Sequence, residues 1–357
     1  MMKNEFPKMP SSNLSNDQVL RKNELLSNEV KQIVLDGNHN VANLLEDFSD
    51  ASFEARNIGQ AAKLYSQRLQ TDTSIIWALS GSLFSAGLRQ ITIDAIRKNC
   101  VDVLVCTGAL FEQDMLEALG HKHYKCETNV DDRELQNLMI DRVYDHLLDE
   151  IALRQVDLTF KKISDEIPNG IYSSRYFMQY CGEWLSKAEK AQDSVMQAAF
   201  EKNIPVFIPA INDCSVGIGI ALSQKQGKQI SIDSIKDLRE IALMKSECGN
   251  SGIIVVGGGV PKNYAQDSVI MAEMLDYQVE KHNFGIQIGT ADTRDGGLSG
   301  STLKEAISWG KNDQEIEDVM VWGEASVFFP LLISYAFNSL KTNNRKGQEL
   351  NNIFRVK

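Results

Sequence analysis

The sequence predicts an α/β fold in which helices cover both faces of a parallel sheet. Six short apolar runs each pass directly into a turn rich in Gly, Asp, Asn or Ser, and helical periodicity separates several of these runs. Buried strands that alternate with helices are typical of parallel sheets. The six runs are SIIWALSG (74–81), VDVLVCTGA (101–109), IPVFIPAIND (204–213), GIIVVGGGVPKN (252–263), FGIQIGTADTRDGG (284–297) and DVMVWGEAS (318–326).

Apolar residues at helical spacing predict the elements between these strands. Helices are expected over 49–70 and 85–99, and the middle of the chain, 131–202, is expected to be a helical insertion. Its clearest predicted helix is QNLMIDRVYDHLLDEIALRQ, residues 136–155. The Asn-, Ser- and Lys-rich start of the chain predicts a mobile tail or a loosely docked helix.

These patterns predict one large domain, because neither an internal repeat nor a Pro- and Gly-rich linker interrupts them. We expect residues 1–44 to form a tail with an N-terminal helix, residues 45–340 the domain, and residues 341–357 a C-terminal tail.

Composition excludes several classes of function. The chain has 357 residues and a net charge of −11, which argues against a nucleic-acid partner because neutralising phosphates requires a surplus of Lys and Arg. No apolar run is long enough for a membrane span, and the N-terminus lacks the apolar core of a secretory signal. A cytoplasmic protein without a membrane partner is therefore expected. The six cysteines lack zinc-site spacing, so they are interpreted as reduced structural thiols and no metal is expected.

The polar turns after the six strands indicate a ligand site, since ligands of open parallel sheets bind beyond the carboxyl ends of the strands. GGGV, residues 257–260, directly follows an apolar strand, and glycines let a backbone approach a pyrophosphate closely. A plain turn explains this motif equally well. Glu324 follows another strand and could bind a ribose hydroxyl, whereas Ser326 fits helix capping as well as a ligand contact.

The segment EAISWGK, residues 305–311, sets an acid and a tryptophan four residues apart. On a helix, Glu305 and Trp309 would share one face and could line one wall of a pocket, with Lys311 at the helix end. Taken alone, Lys311 is explained as well by a solvated cation at a helix C-terminus, and Trp309 by core packing.

Together, SAGLRQ, VDVLVCTGALFEQD, IPVFIPAINDCSVG, GGGVPKN, DGGLSGSTLKEAISWGK and GEASVFFPLL resemble the deoxyhypusine synthase family over roughly residues 45–340. The resemblance implies a Rossmann-like α/β fold and a homotetramer whose paired subunits share active sites. It also implies NAD as the cofactor that oxidises spermidine before an aminobutyl group is transferred to an amine.

By this resemblance Lys311 is the nucleophile, held near neutral in a desolvated pocket so that it can attack an imine. Glu305 contacts a substrate ammonium or assists proton transfer, and Trp309 packs on the polyamine. The positions that correspond to family contacts with NAD are Ser82, Ser85, Thr107, Gly108, Ala109, Asp213, Gly257, Gly258, Thr290, Ala291, Asp295, Ser299, Glu324, Ala325 and Ser326.

The chain departs from the family pattern most clearly at three substrate positions. Asn263 replaces a catalytic histidine, and Leu298 and Ile218 replace two acids that bind polyamine nitrogens. Smaller changes lie in the cofactor half, where Ser82, Gln113 and Glu324 replace Asn, Glu and Asp.

The departures predict that unmodified spermidine is not the best substrate, because replacing an acid by an alkyl group leaves an ammonium unpaired. The leading hypothesis is an NAD-dependent aminoalkyl transferase that acts on small amines such as a polyamine, a diamine or an agmatine-like compound. One alternative is a true deoxyhypusine synthase that modifies a lysine of a translation factor with spermidine. Another is a nucleotide-binding protein that has lost the transfer chemistry.

Overall fold

The computed structural model describes residues 14–189, 191–340 and 345–355. Its strands in chain order are β1 (Ser74–Leu79), β2 (Val103–Cys106), β3 (Tyr124–Lys125), β4 (Ile140–Val143), β5 (His146–Asp149), β6 (Gly170–Tyr172), β7 (Val206–Phe207), β8 (Ile230–Ile232), β9 (Ser251–Val256), β10 (His282–Gly289) and β11 (Asn312–Trp322). Its helices are α1 (Asn16–Leu25), α2 (Val41–Ser49), α3 (Phe53–Arg68), α4 (Arg89–Arg97), α5 (Gly108–Ala118), α6 (Asp132–Asn137), α7 (Glu150–Glu166), α8 (Ser174–Lys187), α9 (Val195–Glu201), α10 (Ser215–Lys225), α11 (Ser234–Glu247), α12 (Gly259–Met274), α13 (Glu305–Ser308) and α14 (Ala325–Ser339).

The main sheet confirms the predicted α/β fold. It is parallel, with the order β11-β10-β9-β1-β2-β7, and each of the six predicted apolar runs supplies one of its strands. Strands β2 and β7 are added in turn on one side of β1, and β9, β10 and β11 are then added in turn on its other side. The direction therefore reverses between β1 and β9, which is where open α/β sheets bind ligands.

Both faces of the inner part of this sheet are buried, which explains why β1, β2 and β9 are almost continuously apolar. In β1, Ile75 and Trp77 enter a large core with helices α3, α4 and α14, whereas Ile76 and Ala78 enter a second core on the opposite face with α11 and α12. The alternation follows from the two-residue period of a strand. The helices on both faces were predicted, and the structure bears them out.

The predicted helix over 136–155 is wrong in its central part. Residues 140–149 form the hairpin β4–β5, which pairs with β3 in a small antiparallel sheet. Asp149 ends the hairpin by capping α7, since its side chain accepts a hydrogen bond from the backbone N–H of Ile151. Val143, Leu147 and Ile151 also fit helical spacing, so the pattern of apolar residues did not reveal this boundary.

Two other predicted helices are shorter than expected. The helix expected over 85–99 begins at Arg89, because the backbone at Gly87 has φ 94° and leaves only a π-helical turn over 84–88. The helix expected over 49–70 begins at Phe53, and α2 precedes it as a separate element.

The two ends of the chain differ in how they contact the rest of the protein. Helix α1 has no buried residue. Within the predicted C-terminal tail, Arg345 is buried and pairs with Asp102 at 2.5 Å, which anchors residues 345–355 beside the main sheet. In the two predicted tails, residues 1–13, 341–344, 356 and 357 lie outside the described part of the chain.

Candidate active site

Lys311 lies where a short helix turns into a strand. Helix α13 ends at Ser308, and Gly310 takes φ 73°, a conformation that glycine adopts without strain. The backbone N–H groups of Gly310 and Lys311 close the helix by donating to Ile307 O at 3.0 Å and Ala306 O at 3.2 Å. Lys311 is therefore held at a fixed point directly before β11.

The side chain of Lys311 points into a pocket of about 370 Å³, which we call the lysine pocket. The pocket is lined by residues of α12, of the loop before α13, and of α13 itself with the two residues that flank Gly310. They are Asn263, Gln266, Asp267, Gly296, Gly297, Leu298, Ser301, Thr302, Glu305, Ala306, Trp309 and Lys311. The structure thus brings Lys311, Glu305, Trp309, Asn263 and Leu298 together in one pocket.

The surroundings of the Lys311 ammonium are polar. Its Nζ lies 2.7 Å from Asp267 Oδ1 and donates to Asn263 Oδ1 at 2.9 Å, and the side chain is only 12% exposed. A solvated cation at a helix end does not fit this burial. The desolvated pocket expected for Lys311 is found only in part, because a carboxylate and an amide contact the nitrogen directly.

Trp309 is 66% exposed, so core packing does not explain it. Its ring centroid lies 5.4 Å from Lys311 Nζ, within the range of a cation–π contact. Glu305 is also exposed, and its Oε2 accepts a hydrogen bond from the backbone N–H of Thr302 at 3.4 Å. Both side chains can therefore meet a ligand that enters the pocket from solvent.

Three residues of α12 that sequence reasoning missed line the pocket or hold its wall in place. Lys262 is completely buried, and its Nζ donates to Ser301 Oγ at 2.8 Å and to the carbonyls of Ser301 and Leu298. Burial lowers the pKa of Lys262 to about 8. These contacts tie the loop that carries Leu298 to α12.

Gln266 and Asp267 are the other two. Gln266 is 2% exposed, and its side-chain nitrogen has no hydrogen-bond partner among the described residues. It is a donor available to a ligand in the lysine pocket. Asp267 stands four residues after Asn263, and this helical spacing was the signal that could have placed both on one face.

A second pocket, the switch-point cleft, lies where the direction of strand addition reverses. It measures about 360 Å³ and is lined mainly by small residues: Ser80, Gly81, Ser82, Cys106, Thr107, Gly108, Ala109, Pro209, Ala210, Asp213, Gly259, Val260 and Pro261. Five predicted cofactor residues are among them, namely Ser82, Thr107, Gly108, Ala109 and Asp213. Helix α12 joins the two pockets, since Gly259 and Asn263 are about one turn apart.

Two glycines of the triple-glycine motif leave no room for a side chain at the edge of this cleft. A Cβ atom on Gly257 would lie 2.5 Å from Ser80 Oγ, and one on Gly258 would lie 2.6 Å from Ser299 Cα. The N–H of Gly259 donates to Ser299 Oγ at 3.0 Å. These contacts bring Gly257, Gly258 and Ser299 together and show that the motif is a close backbone approach as well as a turn.

The remaining predicted cofactor residues lie outside the switch-point cleft. Thr290 and Ala291 follow β10, and Asp295 is exposed and caps the next turn, where Gly297 N–H donates to it at 2.6 Å. Ser85, Glu324 and Ser326 line a separate groove of about 880 Å³ beside the β4–β5 hairpin. There Glu324 is the helix cap, accepting from Ser326 N–H at 2.9 Å, and Ala325 begins α14.

Ile218 is the predicted substrate residue that the structure does not bring to Lys311. It lies on α10, is 48% exposed, and is absent from the residues that line the lysine pocket. Its separation from the lysine pocket could not be predicted from the motif NDCSVGIG, which fixes only its place in the chain.

Other kinds of site find no support in the described residues. In residues 14–189, 191–340 and 345–355, no group of three His, Cys, Asp or Glu side chains is placed to hold a metal ion. All six cysteines are free, and four of them are buried. None of the helices described combines the length and apolarity needed to cross a bilayer.

Comparison with known proteins points to one family. The family model for deoxyhypusine synthase matches residues 43–336. A deoxyhypusine synthase-like protein of Chlorobaculum tepidum is 42% identical over 340 residues, which cover 94% of this chain and 97% of that protein. Another deoxyhypusine synthase-like protein, from Coxiella burnetii, is 37% identical over 359 residues and covers 99% of both chains.

The fold has a match among solved structures. A crystal structure from Entamoeba histolytica that is assigned to deoxyhypusine synthase superimposes with a TM-score of 0.60 at 18% identity, covering 90% of this chain and 99% of that one. At this identity the likeness concerns the fold alone.

Proposed function

The chain belongs to the deoxyhypusine synthase family, and from that premise we propose that it is an NAD-dependent aminoalkyl transferase. It acts on small amines through an imine formed on Lys311. The observation that carries the proposal is the buried Lys311 nitrogen, which contacts Asn263 and Asp267 in a pocket one helical turn from a cleft of small residues.

The switch-point cleft fits a dinucleotide. Two helices of more than ten residues, α5 and α12, begin at this cleft, and helix N-termini favour phosphate groups. The hydroxyl of Thr107 lines the cleft, is buried, and has no hydrogen-bond partner among the described residues. When bound, NAD supplies the acceptor and later the donor of a hydride at the carbon next to the substrate nitrogen.

The lysine pocket would then orient the amine. Glu305 offers an exposed carboxylate to a substrate ammonium, and the Trp309 ring offers a face for its aliphatic chain. Lys311 attacks the imine carbon, holds the aminoalkyl group covalently, and yields it to an acceptor amine. Lys262 holds the loop that carries Leu298 and Ser301 against α12 through its contacts with Ser301.

The charges of this pocket favour a donor with fewer ammonium groups than spermidine. Asp267 already pairs with Lys311, so Glu305 is the carboxylate of the lining left to receive a substrate cation. Leu298 presents an alkyl group instead of a third acid and is 40% exposed at the pocket wall. Modification of a translation-factor lysine with spermidine therefore ranks below transfer between small amines.

Exposed apolar side chains support the expected homotetramer. Trp309, Leu298, Val260 and Ile218 are each at least 40% exposed. Large exposed apolar side chains are common at protein interfaces. Ile218 would reach a lysine pocket only if paired subunits share their sites, and analytical ultracentrifugation of the purified protein would test the assembly.

Incubation with NAD and a panel of diamines, polyamines and agmatine tests the proposed reaction. We expect mass spectrometry to detect a transferred aminoalkyl product, and borohydride to trap an adduct on Lys311. NAD binding without product or adduct for every amine would instead favour a nucleotide-binding protein that has lost its transfer chemistry.

A further inference from the structure

Lys311, Asn263 and Asp267 form a closed ring of hydrogen bonds. Lys311 Nζ donates to Asn263 Oδ1 at 2.9 Å and lies 2.7 Å from Asp267 Oδ1. Asn263 Nδ2 closes the ring by donating to Asp267 Oδ2 at 2.6 Å. Both carboxylate oxygens of Asp267 are thus directed at this ring, and the Lys311 side chain has little access to solvent.

A lysine at such a position needs a proton acceptor before it can act as a nucleophile, because an ammonium has no lone pair. Asn263 cannot take this role, since a side-chain amide does not titrate in the range of enzyme catalysis. Among the described residues, Asp267 is the carboxylate with an oxygen within 4 Å of Lys311 Nζ. Glu305 lines the same pocket but is exposed and contacts the backbone of Thr302.

We propose that Asp267 is a catalytic residue that accepts the Lys311 proton and returns it to the departing amine. The inference rests on the proposed role of Lys311 as nucleophile. It assigns to a carboxylate on α12 the proton transfer that Asn263 cannot perform. The geometry suits it, because general acid–base groups act at hydrogen-bond distance from the proton they move.

The step balances in atoms and charge. Asp267 takes one proton from the Lys311 ammonium, and the free amine bonds to the carbon of the protonated substrate imine. A second proton then passes from the Lys311 nitrogen to the substrate nitrogen, the old carbon–nitrogen bond breaks, and the departing amine takes the proton held by Asp267. The products are an iminium on Lys311, an ammonium ion and the Asp267 carboxylate.

A reaction without cofactor isolates this step. Butanal forms an imine directly with a lysine amine, and cyanoborohydride reduces it to a stable adduct that peptide mass spectrometry locates and quantifies. We expect the wild-type protein to be modified at Lys311 faster than at exposed lysines. Asp267→Asn keeps the size of the side chain and one acceptor oxygen, but it replaces the other oxygen by an NH2 donor and cannot take up a proton. We expect it to slow modification of Lys311 by about 100-fold, within the usual range for a lost acid–base group.

Asp267→Ala separates a chemical role from a structural one. It leaves space beside Lys311, so added formate should restore at least a fifth of the wild-type rate in this variant and leave Asp267→Asn unchanged. Glu273→Gln, which removes an exposed carboxylate from the same helix, is the matched control and should react at the wild-type rate.

The possible outcomes separate the inference from the proposed function. Modification of Asp267→Asn at the wild-type rate or faster would overturn the role of Asp267, and so would a slow Asp267→Ala that does not respond to formate. Lys311 would remain the proposed nucleophile in both cases. Absence of a Lys311 adduct in the wild-type protein would overturn both proposals, whereas failure to use NAD with any amine would leave this result standing.

Discussion

The lysine pocket and the switch-point cleft have similar volumes but are lined by different types of residue. The cleft, about 360 Å³, is lined largely by Gly, Ser, Ala and Pro at strand ends. The lining of the pocket, about 370 Å³, includes two amides, two carboxylates and a lysine, which come from α12, α13 and the residue before β11. Backbone shape therefore defines the cleft, whereas side-chain charge defines the pocket. Substitutions that add atoms should therefore impair binding in the cleft, and substitutions that change charge should impair the function of the pocket.

Loss of the Lys311 amine should give the largest effect and should be confined to the pocket. We expect Lys311→Ala to reduce turnover to below about one thousandth of the wild-type value, as removal of a nucleophile commonly does. The borohydride-trapped adduct should disappear, while NAD affinity measured by calorimetry stays within a few-fold. Lys304→Ala, at an exposed lysine just before α13, is the control. Normal turnover by Lys311→Ala would remove this lysine from the mechanism.

A methyl group added at Gly258 should weaken NAD binding in the cleft and leave the chemistry of the lysine pocket unchanged. Gly258 has φ 155°, and a Cβ there would lie 2.6 Å from Ser299 Cα, so Gly258→Ala must shift the backbone at the edge of the cleft. We expect NAD affinity to fall at least tenfold, while butanal still modifies Lys311 at the wild-type rate.

Gly227→Ala provides the matched control for this substitution. Gly227 also has a positive φ, 93°, but a Cβ there would meet no atom within 4 Å. It therefore carries the conformational cost without the steric one. Equal NAD affinity in Gly258→Ala and wild type would mean that the triple glycine does not shape the dinucleotide site.

The same contrast explains which features could be predicted from the sequence. Strand ends and small-residue turns are local patterns, so the six strands and the small-residue turns beside the cleft could be predicted. Asp267 and Lys262 act through contacts with segments about 40 residues away, and no local pattern marks such a pairing. The β4–β5 hairpin could not be predicted because its apolar residues also fit helical spacing.

Introducing an acid at Leu298 or at Ile218 should have different effects on spermidine affinity. Leu298 lines the lysine pocket and Ile218 does not. We expect Leu298→Asp to increase spermidine affinity about tenfold, because a charge-assisted hydrogen bond contributes roughly 1.5–3 kcal/mol and each 1.4 kcal/mol is tenfold. Calorimetric titration with spermidine in the presence of NAD measures this change.

Ile218→Asp distinguishes a site built from one chain from a shared site. A similar gain in spermidine affinity for this variant would indicate that a neighbouring subunit brings Ile218 to the pocket. Ile235→Asp, at an exposed isoleucine on α11, controls for added surface charge. Unchanged or weaker binding by Leu298→Asp would contradict the placement of Leu298 beside the substrate.

The smallest expected effect is on the stability of the main sheet, which supports both pockets. His282 begins β10 and is completely buried, with its ring nitrogens 3.1 Å from Ser251 Oγ and 3.3 Å from Ala265 O. Burial lowers its pKa from 6.5 to about 3. Between these pH values the unfolded chain binds a proton that the folded protein does not. The free energy of unfolding should therefore fall as the pH falls, by at most about 1.4 kcal/mol per pH unit from this group.

His282→Gln removes this titration and should flatten the pH dependence. Urea unfolding at pH 7, 6 and 5 measures the difference between variant and wild type, in which contributions from other titrating groups cancel. The difference should move in favour of the variant as the pH is lowered, although the variant is less stable at pH 7 because it loses buried packing. A difference that stays constant over this range would show that His282 takes up its proton at the same pH in the folded and the unfolded chain, and is therefore charged in the folded protein at pH 5. In that case the start of β10 would rest on a buried ion rather than on neutral hydrogen bonds.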